Sequence, residues 1–98
     1  MRRLAVAVTG EKVCNHIDKC KGLMIYDIDG KNIVNSYFSD IKEYKDNSFL
    51  QSIEKIGVQT LITNGISDQE LLKFKENNID VMSGVFGKAD EIVEKLLK

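Results

Sequence analysis

Three side chains that can bind a soft metal ion lie close together in the sequence: Cys14, His16 and Cys20. Thiolate and imidazole ligands favour zinc, copper, nickel or iron–sulfur species, and both bind a metal only when deprotonated. Lysines within and beside this C-x-H-x3-C motif favour the thiolate form. Because a closed structural zinc site needs four ligands and the motif provides three, it indicates an open or acquired metal site.

The same residues have two simpler interpretations. Cys14 and Cys20 can be small apolar fillers, with His16 as a hydrogen-bonding surface residue. A disulfide can also close across the five residues between the cysteines. The sequence has no recognisable secretory signal, so we expect a cytoplasmic protein, and a reducing cytosol argues against the disulfide. Ligand, free thiol and disulfide remain open at this point.

A second group of candidate residues is acidic. Asp27 and Asp29 flank Ile28, and a two-metal nuclease would need clustered carboxylates of this kind on central strands. They immediately precede Gly30, and Asp is common at such turns because it bonds the backbone. We therefore prefer the turn interpretation and place a nuclease third. No Gly-x-Ser-x-Gly motif is present to carry hydrolase chemistry.

The composition is that of an ordinary folded domain. Of the 98 residues, 43% are apolar and 30% are charged, and the net charge is −1. This leaves no strong field to attract nucleic acid or an anionic membrane. The longest apolar run, residues 4–8, is far shorter than a membrane span. We therefore expect a single domain over residues 1–98, with neither nucleic acid nor membrane as a partner.

The candidate residues must be positioned by alternating apolar segments and capped helices. A buried strand is predicted at residues 4–8, followed by a long loop at 11–22 that carries the cysteines. Capping boxes at Ser48 and Ser67 predict two helix starts. The other predicted elements are hairpin strands at 23–26 and 33–38, a helix ending at Gly57, a strand at 58–63, a helix ending near residue 78, a strand at 79–82 and a closing helix at 89–97.

These elements predict an α/β fold with a five-stranded mixed sheet and three helices, in the chain order β-β-β-α-β-α-β-α. Numbered along the chain, the strands are expected in the spatial order 3-2-1-4-5. Three loops then meet beyond the carboxyl ends of the first, fourth and fifth strands, where ligands usually bind. We predict that the cysteine loop is joined there by Asn64 and Gly65 of one loop and by Gly84 and Gly87 of another.

The order of short motifs over residues 3–97 resembles the dinitrogenase iron–molybdenum cofactor biosynthesis family, the small NifX/NafY-like domains that also occur fused to NifB. The similar segments are Leu4 to Val8, His16, Ile25 to Asp27, Gly57 to Val58, Asn64 to Ile66, and Asn78 to Val81 leading into the loop from Gly84 to Gly87. The resemblance implies a topology like that of ribonuclease H, without its activity. It also implies that His16 holds an iron–molybdenum cofactor or a precursor cluster.

This sequence departs from the family pattern around that histidine. Cys14 stands where the family usually has serine, and Cys20 replaces a small residue. Asn64-Gly65 replaces a Gly-Gly pair, which changes how closely the backbone approaches a cluster. The two additional thiols provide ligands that an iron–sulfur cluster accepts.

We therefore predict a non-enzymatic module that binds or carries a metal or an iron–sulfur cluster similar to the iron–molybdenum cofactor, with Cys14, His16 and Cys20 as ligands. Its partners would be the cluster and the proteins that donate and accept it. The alternative is a protein-interaction or regulatory domain on the same fold with no bound metal. The sequence leaves the oligomeric state open, since the polar strand at 33–38 is an edge that can remain alone.

Overall fold

The computed structural model describes residues 2–16, 20–40 and 53–97. The strands are, in chain order, β1 (Arg2–Thr9), β2 (Lys12–Val13), β3 (Gly22–Asp29), β4 (Asn32–Asp40), β5 (Thr60–Ile62) and β6 (Asp80–Met82). Residues 53–56 are helical and are called α1; the following helices are α2 (Asp68–Glu76) and α3 (Ala89–Leu96). No helix within the described ranges is long and apolar enough to cross a membrane.

Strand β1 is at the centre of a mixed sheet. It pairs antiparallel with β3 and parallel with β5, and the path across the sheet runs β4-β3-β1-β5-β6. Residues 4–8 are at most 2% exposed, because β1 has a neighbour on each edge and an apolar layer on each face. The predicted mixed α/β architecture, with three helices and a buried first strand, is therefore confirmed.

Strand β2 corrects the prediction of five strands in the order 3-2-1-4-5. Lys12 pairs with Thr9 and Val13 with Val8, so the described residues form a sheet of six strands, and the numbers of the predicted order do not carry over. The reversal depends on Gly10, whose φ of +69° suits the first position of a two-residue hairpin loop. Hydrophobic periodicity could not reveal a strand of two residues. The predicted loop at 11–22 is correspondingly shorter.

The predicted Asp-Gly hairpin is confirmed between β3 and β4. Asp29 pairs with Asn32, and Gly30 provides the positive φ, +64°, that the turn requires. Asp27, however, lies within β3 opposite Asn35 instead of at the turn, and the register of the two strands shifts beside it. The turn interpretation was therefore wrong for this residue.

Each face of the sheet carries its own hydrophobic layer. One layer contains Ala5 and Ala7 of β1 together with buried residues of α1 and α2. The other contains the alternate residues of β1 and packs against α3. Cys14 and Cys20 belong to the first layer, with Leu23 of β3. The cysteines therefore lie on the side of the sheet covered by α1 and α2.

Capping fixes the limits of α2. The hydroxyl of Ser67 accepts the backbone N–H of Glu70, and the carboxylate of Glu70 accepts the backbone N–H of Ser67. This confirms the second predicted capping box. The helix is followed by Asn77 and then by Asn78, whose φ of +61° is left-handed. The first predicted capping box, at Ser48, lies outside the described residues.

Candidate functional site

The two cysteines lie where β2 ends and where β3 begins. The backbone N–H of Cys14 donates to the carbonyl oxygen of Ala7 at 3.0 Å, and that of Lys21 donates to the carbonyl oxygen of Val8 at 3.1 Å. Both ends of the loop are thus fixed to consecutive residues of β1. Cys14 and Cys20 are 4% and 8% exposed, their Cα atoms are 5.5 Å apart, and a disulfide joins them.

This disulfide was the least favoured of the three interpretations of the motif. The expectation of thiols rested on the cellular redox environment, which contains no information about distance. The β1–β2 hairpin returns Cys14 to the start of β3, and this places the two Cα atoms within the usual disulfide range of about 4.4–6.8 Å. In the bonded state the sulfurs are not thiolates, the form that binds a metal.

The backbone of His16 lies between the sulfurs and the turn after β5. The Sγ atoms of Cys14 and Cys20 each lie 3.4 Å from the carbonyl oxygen of His16. On the other side, a Cβ added to Gly65 would lie only 2.6 Å from the carbonyl oxygen of Asn15 and 3.1 Å from Cδ2 of His16. Gly65 is therefore required by a close approach of two backbones, at a residue predicted for the site.

Hydrogen bonds join the three predicted loops. The backbone N–H of Gly84 donates to the carbonyl oxygen of Asn64 at 2.7 Å, and that of Val13 donates to the carbonyl oxygen of Gly87 at 2.9 Å. With the contact at Gly65, these bonds confirm that the cysteine loop, the turn after β5 and the loop after β6 meet at one end of the sheet. Gly84 and Gly87 have φ of +73° and +116°, and a Cβ at either would face open space.

The metal-ligand prediction is not realised as a formed site. Within residues 2–16, 20–40 and 53–97, no three His, Cys, Asp or Glu side chains are placed to hold a metal ion. Cys14, His16 and Cys20 are neighbours in the structure, but the disulfide occupies two of the three candidate donors. Their role as ligands remains a prediction, and it applies to the reduced loop.

The acidic pair is used differently from a nuclease site. Nε of Arg3 donates to Oδ1 of Asp27 at 2.6 Å, and the amide of Asn35 donates to Oδ2 at 3.4 Å. The hydrogen bond from Arg3 lowers the pKa of Asp27, against the smaller opposing effect of burial. Asp29 is exposed at the end of β3. Asp27 is thus part of an ion pair between β1 and β3, at the opposite end of the sheet from the cysteines.

Tyr26 anchors the helix that follows the glycine loop. Its hydroxyl donates to Oδ1 of Asp90, in the first turn of α3, at 2.6 Å. Burial of the ring and this hydrogen bond raise the pKa of Tyr26 well above its ordinary value. The phenol therefore stays protonated and keeps α3 attached to β3.

Phe86 is the residue at this end of the molecule that sequence reasoning missed. It lies between Gly84 and Gly87 and is 77% exposed, and Met82 at the end of β6 is 37% exposed. A phenylalanine in an apolar pattern normally indicates the core. The only sequence signal that sets Phe86 apart from a core residue is its position in a short loop bounded by Gly84 and Gly87, and this signal is weak.

A family model described as dinitrogenase iron-molybdenum cofactor matches residues 1–98. The chain belongs to this family. The recognition made from the ordered motifs is thereby confirmed. A search of curated protein sequences found no match to this chain.

Solved structures share the fold of this family member along nearly its whole length. The protein PH0822 superposes with a TM-score of 0.92 at 19% identity, covering 97% of this chain and 88% of that one. MJ0327 from Methanocaldococcus jannaschii gives 0.77 at 22% identity, covering 97% and 86%. The apo form of the orange protein from Desulfovibrio gigas gives 0.77 at 17% identity, covering 99% and 88%. At these identities the likeness shows the fold.

Proposed function

We propose that this chain is a non-enzymatic accessory module that binds a metal or metal cluster as cargo and passes it to another protein. In the reduced state Cys14, His16 and Cys20 are the ligands, and Asn64, Gly65, Gly84 and Gly87 form the surrounding walls. The cargo belongs to the chemical class of the iron–molybdenum cofactor, to which the family description refers. The solved structure of the orange protein is that of its apo form, which is the form without its bound group. This description supports the proposal that the present chain has a loaded and an unloaded state.

One observation carries this proposal: both sulfurs lie at the same distance, 3.4 Å, from a single backbone oxygen of His16. Two soft donors and the backbone of a third are therefore held at one point. The hydrogen bonds that anchor Cys14 and Lys21 to β1 involve only backbone atoms, so we expect them to remain when the disulfide is reduced. The reduced sulfurs then provide thiolates, which soft metals and iron–sulfur species prefer.

The surroundings of the cysteines suit an anionic, bulky cargo. The open space beside Gly84 and Gly87 leaves their backbone accessible at the end where the loops meet. Lys12 and Lys88 are paired across a short antiparallel bridge, and both are exposed. Thiolate-ligated clusters carry negative charge, which neighbouring ammonium groups stabilise. A cytoplasmic location, as predicted from the sequence, would supply the thiols that keep the loop reduced.

The proposal is tested by anaerobic purification under reductant, followed by iron and sulfide reconstitution, elemental analysis and an ultraviolet–visible spectrum. We expect stoichiometric metal and thiolate charge-transfer bands in the wild type. Cys14→Ala and Cys20→Ala should each lose the charge-transfer bands, because each substitution removes a ligand. Both variants should remain folded. Val13→Ala is the matched control: it removes buried apolar surface at the residue next to Cys14 in the chain, in the hydrophobic layer on the opposite face of the sheet, and leaves both thiols.

Equal metal content in the wild type and both cysteine variants would refute these ligands. A reduced wild type that takes up no metal or cluster would favour the alternative, a protein-interaction module on the same fold. That alternative is supported by exposed apolar side chains at two places, Phe86 beside the site and Val34 and Phe38 on β4. Its cysteines would then serve only to crosslink the loop.

A further inference from the structure

We propose that Cys14 and Cys20 are a reversible dithiol–disulfide pair that gates the metal site: the dithiol binds the cargo, and the disulfide excludes it. This inference rests on the proposed function and adds its regulation. It makes the disulfide in the structure the closed state of the same site, in place of a permanent crosslink.

The backbone holds the two cysteines in bonding distance independently of the bond itself. Cys14 is fixed through its N–H to Ala7, and the residue after Cys20 is fixed through its N–H to Val8. Ala7 and Val8 are fully buried in the central strand, which is paired on both edges. A Cα separation of 5.5 Å is thus set by the sheet. Reduction consequently leaves the two thiols side by side, ready to bond again or to bind a metal.

The carbonyl oxygen of His16 keeps the sulfurs on a common side. It is 3.4 Å from each Sγ, so in the dithiol state both S–H groups have the same acceptor. The backbone that carries this oxygen is pressed against Gly65, where there is no space for a Cβ. Opening and closing of the gate therefore need little movement of the backbone at Asn15 and His16.

The two states are mutually exclusive because they use the same sulfur electrons. Closing transfers two electrons and two protons from the Cys14 and Cys20 thiols to a low-molecular-weight disulfide such as glutathione disulfide. One sulfur–sulfur bond forms within the protein, the bond of glutathione disulfide breaks, and two molecules of reduced glutathione are released. A metal ligand must be a thiolate, and neither sulfur is one after closure.

The first experiment titrates the pair without metal. The wild type is equilibrated anaerobically at a series of ratios of reduced glutathione to glutathione disulfide, quenched with acid and alkylated with a maleimide of known mass. We expect a single transition from two labels to none. A pair that stays oxidised at every ratio is a permanent crosslink, and one that stays reduced at every ratio does not close; either result would overturn the gate.

The second experiment couples the pair to metal, with Zn²⁺ as the probe. Reduced protein should bind one Zn²⁺, and oxidised protein should bind it roughly 100-fold more weakly or worse. The reason is that oxidation removes two direct ligands, whereas removal of a residue that only hydrogen-bonds a ligand already lowers metal affinity by about 10–100-fold. Zn²⁺ should also shift the labelling transition toward more oxidising ratios, because the metal binds only the dithiol. Val13→Ala should retain both responses, and Cys20→Ser should lose the intramolecular transition.

The failures of the two proposals are distinguishable. If reduced and oxidised proteins bind Zn²⁺ equally, the gate is wrong, whereas metal binding at another set of ligands survives. If the pair titrates reversibly but the reduced protein binds neither Zn²⁺ nor a reconstituted cluster, the proposed cargo function is wrong and the gate has nothing to control. A Zn²⁺-induced shift of the labelling transition supports both together.

Discussion

The two ends of the sheet differ in the contacts that their polar groups make. At one end Arg3 and Asp27 form an ion pair, the backbone N–H of Arg3 donates to the side chain of Gln59, and the carbonyl oxygen of Arg3 accepts the backbone N–H of Gln59. At the other end β1, β5 and β6 run into loops that carry the cysteine pair and the glycines. There the side-chain space is open at Gly84 and Gly87.

The difference separates the residues that stabilise the sheet from those of the proposed metal site. At the ion-pair end, the charges of Arg3 and Asp27 compensate each other, and the described residues there include no group of side chains placed to hold a metal ion. The loop end uses the backbone to hold its parts together, which leaves side chains such as Phe86 facing solvent. Substitutions at the first end should therefore change stability without changing metal uptake. At the second end, substitutions of the cysteines or of the glycines that surround them should change uptake, with or without a loss of stability.

The largest effect is expected at Gly65. Gly65→Val places a branched side chain against the backbone of Asn15, where even a Cβ would be 2.6 Å from the carbonyl oxygen. The cysteine loop and the turn after β5 must move apart. We expect a loss of about 1–3 kcal/mol in the free energy of unfolding, as for other overpacked sites, and loss of metal uptake. Urea unfolding and elemental analysis measure the two effects; wild-type values for both would contradict the close approach.

A matched pair of glycines gives the next largest effect. Gly84 and Gly30 have similar φ, +73° and +64°, and a Cβ at either faces open space, but Gly30 lies at the ion-pair end. Replacement of each by alanine should cost about 1–2 kcal/mol for the left-handed backbone. We expect only Gly84→Ala to weaken metal uptake. Equal metal affinities in the two variants would show that the loop after β6 is not a wall of the site.

The smallest effect is expected for Asp27→Asn. The pKa of Asp27 is lowered in the folded protein, so its ionised form stabilises the fold above the ordinary pKa of about 3.9. This contribution is lost as the pH falls through the lowered pKa. The variant should unfold at less urea than the wild type at pH 7 and converge with it in acid. The effect is small because Arg3 is partly solvated, and unchanged metal uptake completes the comparison.

The sequence was most informative where a local pattern determines a local structure. The apolar run of β1, the Asp-Gly hairpin and the capping box at Ser67 are all signals of this kind, and each is present in the structure. The meeting of the three loops followed from strand direction. The two-residue strand β2 and the disulfide did not follow, because both depend on a reversal at Gly10 that carries no hydrophobic period.

The role of Asp27 was also beyond local pattern. Its partner Arg3 is distant in the sequence and reaches it only after β1 and β3 pair. An aspartate two residues before an Asp-Gly turn indicates the turn equally well whether or not an arginine faces it. Phe86 shows the converse: hydropathy predicts burial for a phenylalanine, but its side chain is 77% exposed in the loop between Gly84 and Gly87.

The parallel pairing of β5 with β1 sets the moment at which the site comes into existence during folding. The cysteine loop belongs to a meander of near neighbours, whereas Leu4 meets Thr60 only after a long crossover closes. Such distant pairings are the slow steps of folding. The proposed cargo, which needs both sets of loops, would therefore bind only the completed fold, and at 100 times its Kd it would stabilise that fold by about 2.7 kcal/mol. Loading of the proposed cargo would then also select the molecules that have finished folding.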